Sequence, residues 1–462
     1  MSSQLIPVAA ARSEVAAPWP VSTFALAAIG SVVWLNNFSQ FPVLMQRHGG
    51  VAFLAVYLLA LALVAAPLMS IEILLGKLTG RDAVGGLYAL GVQARLGRYW
   101  RVLGFAIVLS AFCLFSYYAV IGGWSIALLA RAFFGTFDGV TLDGAANIFG
   151  AFAADPEKQL FWYSLFTGSI ILVSARDRIG QVVRFGVPAL FIGMALFVGY
   201  SASLPDFAVA LELFMRPDFG KLGADALMLA LGQAFFGVSI AIGSLAAYGV
   251  RLRQSAYPVP RLVSIVLAAD VIAALLAGLM LLPVMTTAGY EPPNGPSLIF
   301  QYLPVAFDQV PFGVAMRLVF FALVLLALWL SGLSFFEPLV LAVAGRFQLS
   351  RARAAAYVGA VCWFTGVVAV LSFSHWAFGF EFFGLRKSFG LFDVLVLLTN
   401  LLLPAVSLIL LLLAGWGLHR SFSQERLALV SPCAYDVWLW SARVIAPLAI
   451  VLIVFYLPRL FL

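Results

Sequence analysis

Residues 26–42 read LAAIGSVVWLNNFSQFP, and this stretch decides what the chain can build. With its flanks it forms an apolar run over residues 21–45, and a membrane-spanning helix needs about 20 mostly apolar residues. The run is interrupted at residues 32–36. A second apolar run, LGQAFFGVSIAIG at 231–243, is interrupted at 237–241 in the same way. Inside lipid every backbone N–H and C=O must find a partner, so a broken helix is costly unless a solute, an ion or a buried side chain satisfies the freed groups. Such breaks are ready-made sites. Taken alone, the same small and polar residues could instead mark close helix contacts.

The rest of the chain has the composition of a membrane protein. Of its 462 residues 63% are hydrophobic and 10% charged, and the mean hydropathy is +1.05. Soluble domains carry about 25% charged residues. Apolar segments follow at roughly 51–75, 102–133, 160–173, 182–201, 224–248, 262–284, 318–343, 354–373, 391–416 and 437–457, which makes eleven expected spans with the first. The run lengths exclude a lipid-facing barrel. The polar start carries Arg12 and Glu14 without a cleavage-type pattern, so the first span is read as retained.

With the N-terminus inside, most of the 27 lysines and arginines fall in cytoplasmic segments, among them Lys77, Arg81, Arg95, Arg98, Arg101, Arg176, Arg178, Arg251, Arg346, Arg351 and Arg420. An odd number of spans then places the C-terminus outside. The net charge of +7 follows from topology, not from a nucleic-acid partner, because no basic stripe with interleaved aromatics occurs. Cys113, Cys362 and Cys433 lie far apart, as do His48, His375 and His419. No zinc motif, disulfide framework or Ser/His/Asp constellation follows from their spacing, so the chain is not expected to be an enzyme.

Beyond the opening stretch, HGGVAFLAVYLL and PLMSIEILLGK, then SYYAVIGGW at 116–124, the LGQAFFGVSIAIG run, LLAGLMLLP, FFALVLLALWLSGLSFFEP at 320–338 and GLFDVLVLLTNLLLP follow in order. Together they closely resemble the neurotransmitter:sodium symporters, of the bacterial amino-acid transporter type, over most of residues 19–450. The resemblance implies an all-α membrane protein with a LeuT-like inverted repeat of five plus five helices, the first and sixth discontinuous. Residues 1–18 would be a cytoplasmic tail and 19–460 one transporter domain. Repeat one would cover about 19–203, repeat two about 222–418, and an extra helix about 436–458.

It also implies a ligand set. The first ion site would use the carbonyls of Val32 and Gly237 and the side chains of Asn37 and Asp270, oxygen ligands suited to a hard cation. Asp270 also stands out from the residues alone, since a carboxylate within an apolar span is expensive and marks a functional-site candidate. A structural hydrogen bond between helices is the other reading. The second ion site would use the carbonyls of Gly30, Val33 and Ala327 and the Ser331 hydroxyl. Gly237 and Leu330 stand where the family commonly carries hydroxyl side chains. One or two sodium ions are expected, and chloride is expected to be dispensable because Asp270 supplies fixed negative charge. Glu72 matches a carboxylate that braces the broken sixth helix.

The substrate, a small amino acid or related amine, would meet Val32, Trp34, Leu35, Asn36, Leu114, Tyr118, Phe236, Ser239, Ile242, Ser331 and Phe335. Trp34 stands where amino-acid transporters of the family carry glycine. At the gates Gln40, Val396 and Gly345 replace charged residues, so closure is expected to rely on other contacts. The expected function is sodium-coupled symport across the cytoplasmic membrane by alternating access. Proton-coupled or uncoupled transport of a small amine and a non-transporting solute sensor are the alternatives.

Overall fold

The computed structural model describes residues 17–252, 255–289, 291–293, 295–373, 378–382, 385–427 and 431–461, with the backbone only at 378–382, 385–389, 421–423, 426 and 457–461. The expected cytoplasmic tail therefore lies outside the described residues except for its last two. The first interrupted stretch folds as α1 (Val21–Val32), α2 (Leu35–Ser39) and α3 (Phe41–Arg47). The α1 axis and the continuing Leu35–Arg47 arm are bent by 48°. The break is made by Val33 and Trp34, both extended. Asn37 caps the new helix, its Oδ1 accepting the Trp34 N–H at 3.2 Å.

Next, α4 (Val51–Ala60) passes through a π-helical turn, Leu61–Ala65, into α5 (Ala66–Thr79). Asp82 caps α6 (Ala83–Gln93), accepting from the N–H groups of Val84 and Gly85. The helices α7 (Arg101–Phe133), α8 (Leu142–Ala153), α9 (Pro156–Ala175), α10 (Ile179–Ser201) and α11 (Phe207–Met215) follow. The second interrupted stretch gives α12 (Ala224–Phe236) and α13 (Ser244–Val250). Then come α14 (Val259–Ala288), α15 (Leu303–Ala306), α16 (Gly313–Phe347), α17 (Arg351–Leu371), α18 (Leu391–Leu412) with a π-turn at Leu413–Gly417, and α19 (Arg420–Leu427). The last elements are α20 (Pro432–Trp440), a π-turn at Ser441–Ile445 and α21 (Ala446–Phe461); a further π-turn, Leu298–Tyr302, precedes α15.

Among the described residues 8 helices are long and apolar enough to span a bilayer unaided, and the bent first pair makes a ninth. The helix α9 and the interrupted α12–α13 pair occupy the places of the other two expected spans. The bundle is all-helical; one antiparallel hairpin, β1 (Phe378–Phe382) with β2 (Leu385–Phe389), lies in the connection between α17 and α18.

The longest helices, α7 and α16, pack against each other at the centre, where α1 and α10 also meet α16. Close approach to α13 depends on small residues. A Cβ on Gly249 would lie 2.5 Å from the Ile73 carbonyl oxygen of α5, so only glycine lets these two backbones touch. That contact fixes the half-helix that follows the second break.

Candidate functional site

The two breaks face each other at the bundle centre. Because α1 stops at Val32, the carbonyls of its last turn lack the amides four residues on that an unbroken helix would supply. Between α12 and α13 the chain leaves the helix with positive φ at Ser239 (53°), Ala241 (63°) and Gly243 (84°). Left-handed backbone at non-glycine residues costs about 1–3 kcal/mol each and persists only where the surroundings over-determine it. Two contacts do so here. The Ser239 hydroxyl donates to the Ser31 carbonyl of α1 at 2.6 Å, and the Ala241 N–H donates to Glu72 Oε2 at 3.1 Å. Each break thus holds the other, and Glu72 sits on the second break as its resemblance implied.

Beside the end of α1 lies a fully buried carboxylate. Asp270 of α14 accepts from the Asn37 amide at 3.0 Å and from the Tyr57 hydroxyl at 2.5 Å. No cationic side chain pairs with it among the described residues. The expected ligands, the Asp270 carboxylate, the Asn37 Oδ1, which also accepts the Trp34 N–H, and the Val32 carbonyl at the end of α1, are oxygens of the kind a hard monovalent cation takes. The second expected ion position is different. Leu330 points from α16 between α1 and α10, its Cδ2 only 3.0 Å from where a Cβ on Gly186 would stand and its Cβ 3.6 Å from the same point on Gly30. Ser331 is already bonded to Tyr118 at 2.6 Å and to the Ala327 carbonyl at 2.9 Å. An apolar branch fills this position, so the residues present do not fit a second sodium.

Of the expected substrate residues, Tyr118 and Phe335 pack on Trp34. Its indole N–H donates to the Gly237 carbonyl at 2.6 Å, and its ring lies 5.8 Å from Tyr118 and 6.0 Å, edge-on, from Phe335. Asn36 donates to Gln233 Oε1 at 3.3 Å, joining the two broken helices a third time. Leu35, Leu114, Tyr118, Ser239, Ile242, Ser331 and Phe335 are buried, as are Gly30, Val32, Val33, Asn37, Gly237 and Ala327, while Trp34, Asn36 and Phe236 are half-buried. No polar contact ties Leu114 or Ile242 to the others.

Toward the end where α1 begins, the structure holds a cluster that the sequence reading missed. Glu337 of α16, fully buried, accepts from Arg251 Nη2 at 3.0 Å and from Arg351 at 2.8 and 2.5 Å. Asp177, between α9 and α10, pairs with Arg251 at 2.6 Å and Arg351 at 3.3 Å. Arg251 also donates to the Ala17 carbonyl at 3.3 Å and stacks 4.3 Å from the Trp19 ring. The signal was present, since Glu337 is a carboxylate in an apolar span just as Asp270 is. At Gly345, the other expected gate position, the nearest acid is Asp82, 3.3 Å from where a Cβ would stand.

Two broken helices that complete one another around a buried carboxylate and an aromatic cluster define a membrane transporter with its site at mid-bundle. The chain belongs to the sodium:neurotransmitter symporter family, whose model matches residues 20–139 and 165–458. It is 26% identical over 452 residues to an uncharacterized sodium-dependent transporter of Haemophilus influenzae, covering 95% of this chain and 97% of that one. It is 27% identical to the sodium-dependent transporter YhdH of Bacillus subtilis, covering 93% and 95%. The crystal structure of MhsT in complex with L-phenylalanine is similar with a TM-score of 0.81 and 29% identity, over 95% of this chain and 99% of that one. The fold is LeuT-like, and the protein is a transporter, not an enzyme.

Proposed function

We propose that this protein couples the movement of one cation, sodium, to uptake of a compact amino acid or amine by alternating access. The observation that carries the reading is Asp270, fully buried beside the open end of α1 and, among the described residues, without a cationic side-chain partner. A buried unpaired carboxylate is so costly that a bound cation is its natural complement. The ion would be held by the Val32 and Gly237 carbonyls, Asn37 and Asp270. The positions of Gly30, Val33, Ala327 and Ser331 would hold none, because Leu330 fills that space. With Asp270 charged, chloride has no role in balancing the ion.

The substrate would lie against Trp34, Leu35, Asn36, Tyr118 and Phe236, with Leu114, Ser239, Ile242, Ser331 and Phe335 behind them. The indole already takes the Gly237 carbonyl and packs on the touching rings of Tyr118 and Phe335, filling room beside them, which favours a small solute over a bulky zwitterion. The N-terminus would lie in the cytoplasm and the C-terminus outside, by the distribution of arginines.

Uptake of amino acids and amines into proteoliposomes, with sodium gradients exchanged for potassium or for a pH gradient, tests this directly. Sodium-driven uptake with a Hill coefficient near one is expected. The single acid and the apolar second position also favour a proton as driver, and uptake driven by a pH gradient without sodium would establish that reading. Binding with no flux under any gradient would show a sensor.

A further inference from the structure

Three π-helical turns in three different helices meet on one side of the bundle: Leu61–Ala65, Leu413–Gly417 and Ser441–Ile445. Each lengthened turn frees backbone carbonyls from the regular helical ladder, and such turns recur at functional sites. Ser441 donates its hydroxyl to the Leu63 carbonyl. Arg443 donates its Nε–H to the Gly415 carbonyl at 2.6 Å, and its guanidinium lies 4.8 Å from the Trp416 ring. An arginine on an apolar helix is expensive, and it is ordinarily paired with a carboxylate or fully engaged by carbonyls. Arg443 is neither. Among the described residues no carboxylate pairs with it, and its Nη groups, which carry four of its five N–H donors, have no acceptor.

The surroundings show what those donors face. Trp416 is 65% exposed and Trp440, one turn before Arg443, is 66% exposed, the exposure expected of aromatic anchors at a membrane interface. The neighbouring loop carries further positive charge: Leu96 abuts Gly417, and beside it in the chain stand Arg95, Arg98 and Arg101, all exposed and without ion pairs among the described residues. By the arginine distribution this is the cytoplasmic face.

We propose that Arg443 and Trp416, with the 95–101 loop beside them, form a binding site for the phosphate of an anionic phospholipid in the inner leaflet. The planar guanidinium, held in place by Gly415 and stacked on the indole, offers two parallel N–H groups to phosphate oxygens. The exposed tryptophans lie along the glycerol and upper acyl region. The helix ends at Gly417, so the Gly415 carbonyl in its last turn lacks an amide of its own helix and is free to orient Arg443. Clustered loop arginines raise the local concentration of anionic lipid but do not select one position.

The test uses the full chain, purified in detergent and titrated with phosphatidylglycerol or phosphatidylcholine, with retained lipid counted by native mass spectrometry. A parallel arm measures thermal unfolding with inorganic phosphate at matched ionic strength. Preferential retention of phosphatidylglycerol is expected, weakened about fivefold or more in Arg443→Gln, whose amide can still reach the Gly415 carbonyl. Equal retention of the two lipids, or unchanged preference in that variant, would overturn the proposal. Stabilisation by inorganic phosphate without lipid preference would overturn the lipid as its source. Should Arg443→Gln not fold, a photoactivatable phosphatidylglycerol applied to the unaltered chain is expected to label peptides containing residues 413–417 or 440–443. Labelling confined to other surfaces would refute the site.

Discussion

Replacing Glu337 with alanine should shift the transporter away from the state seen here, in which the end of the bundle at the start of α1 is closed. Glu337 and Asp177 balance Arg251 and Arg351, so the cluster carries no net charge as built. Removing Glu337 leaves a fully buried Arg251 with only the partly exposed Asp177, shared with Arg351. Breaking a buried pair by removing one partner costs about 3–5 kcal/mol, and the lower end applies because Asp177 remains. About 3 kcal/mol corresponds to roughly a 150-fold change in an equilibrium constant. Provided that Arg251 is hydrated once this end opens and its contacts with the Ala17 carbonyl and Trp19 part, the penalty falls on the closed state. A reporter is at hand in Ser334, buried beside the cluster and accepting from the Tyr248 hydroxyl at 2.8 Å. In a background with the native Cys113, Cys362 and Cys433 replaced by alanine, Ser334→Cys should react with a permeant maleimide at least tenfold faster when Glu337→Ala is added. Glu337→Gln, which keeps hydrogen-bonding capacity, should fall between. Unchanged labelling in a monodisperse, folded Glu337→Ala protein would refute the assignment of this cluster as the closure.

Other outcomes follow from the same geometry. Asp270→Ala should abolish ion-dependent uptake while the protein remains folded, because Tyr57 and Asn37 then face only each other; uptake with intact ion dependence would remove Asp270 from the coupling site. Leu330→Ala should lower stability by about 2–5 kcal/mol in denaturant titration, the cost of emptying a buried leucine position, and a change under about 1 kcal/mol would show that the gap between α1 and α10 collapses freely. Trp34→Gly frees the Gly237 carbonyl and empties the room beside the Tyr118 and Phe335 rings, so competition assays should show larger amino acids entering the substrate range; an identical profile would mean that the indole only packs. Uptake should persist when chloride is exchanged for gluconate, and a strict chloride requirement would refute charge balance by Asp270.

The architecture was legible in the sequence because its signals are additive and local. A span announces itself by length and apolarity, and the two breaks by polar and small residues at depths where a continuous helix would carry none. The candidate ligands Asn37 and Gly237 came from the family resemblance, and only Asp270 also stood out by residue type, as a carboxylate in an apolar span. What the residues do to each other was not legible. The indole could have pointed into a neighbouring helix; that it instead caps the Gly237 carbonyl depends on a contact 203 residues away along the chain, which no local pattern encodes.

The closing cluster shows the limit most clearly. Reading each gate position singly finds a loss at Gly345 and stops there, because a missing charge gives no hint of where its replacement lies. Yet a carboxylate in the middle of FFEPLVLAV obeys the same cost rule that singled out Asp270, and Arg251 and Arg351 stand within reach of the ends of helices that any transporter of this plan must bring together. A burial rule applied evenly would have named Glu337. Its partners would still have been open, since the fold alone decides which of the many cytoplasmic arginines meets it. Among the described residues Asp270 has no such partner and Glu337 has two, so the two intramembrane acids that look alike in sequence sit in opposite electrostatic settings. The balanced one can hold a state closed, and the unbalanced one must be completed from outside the chain.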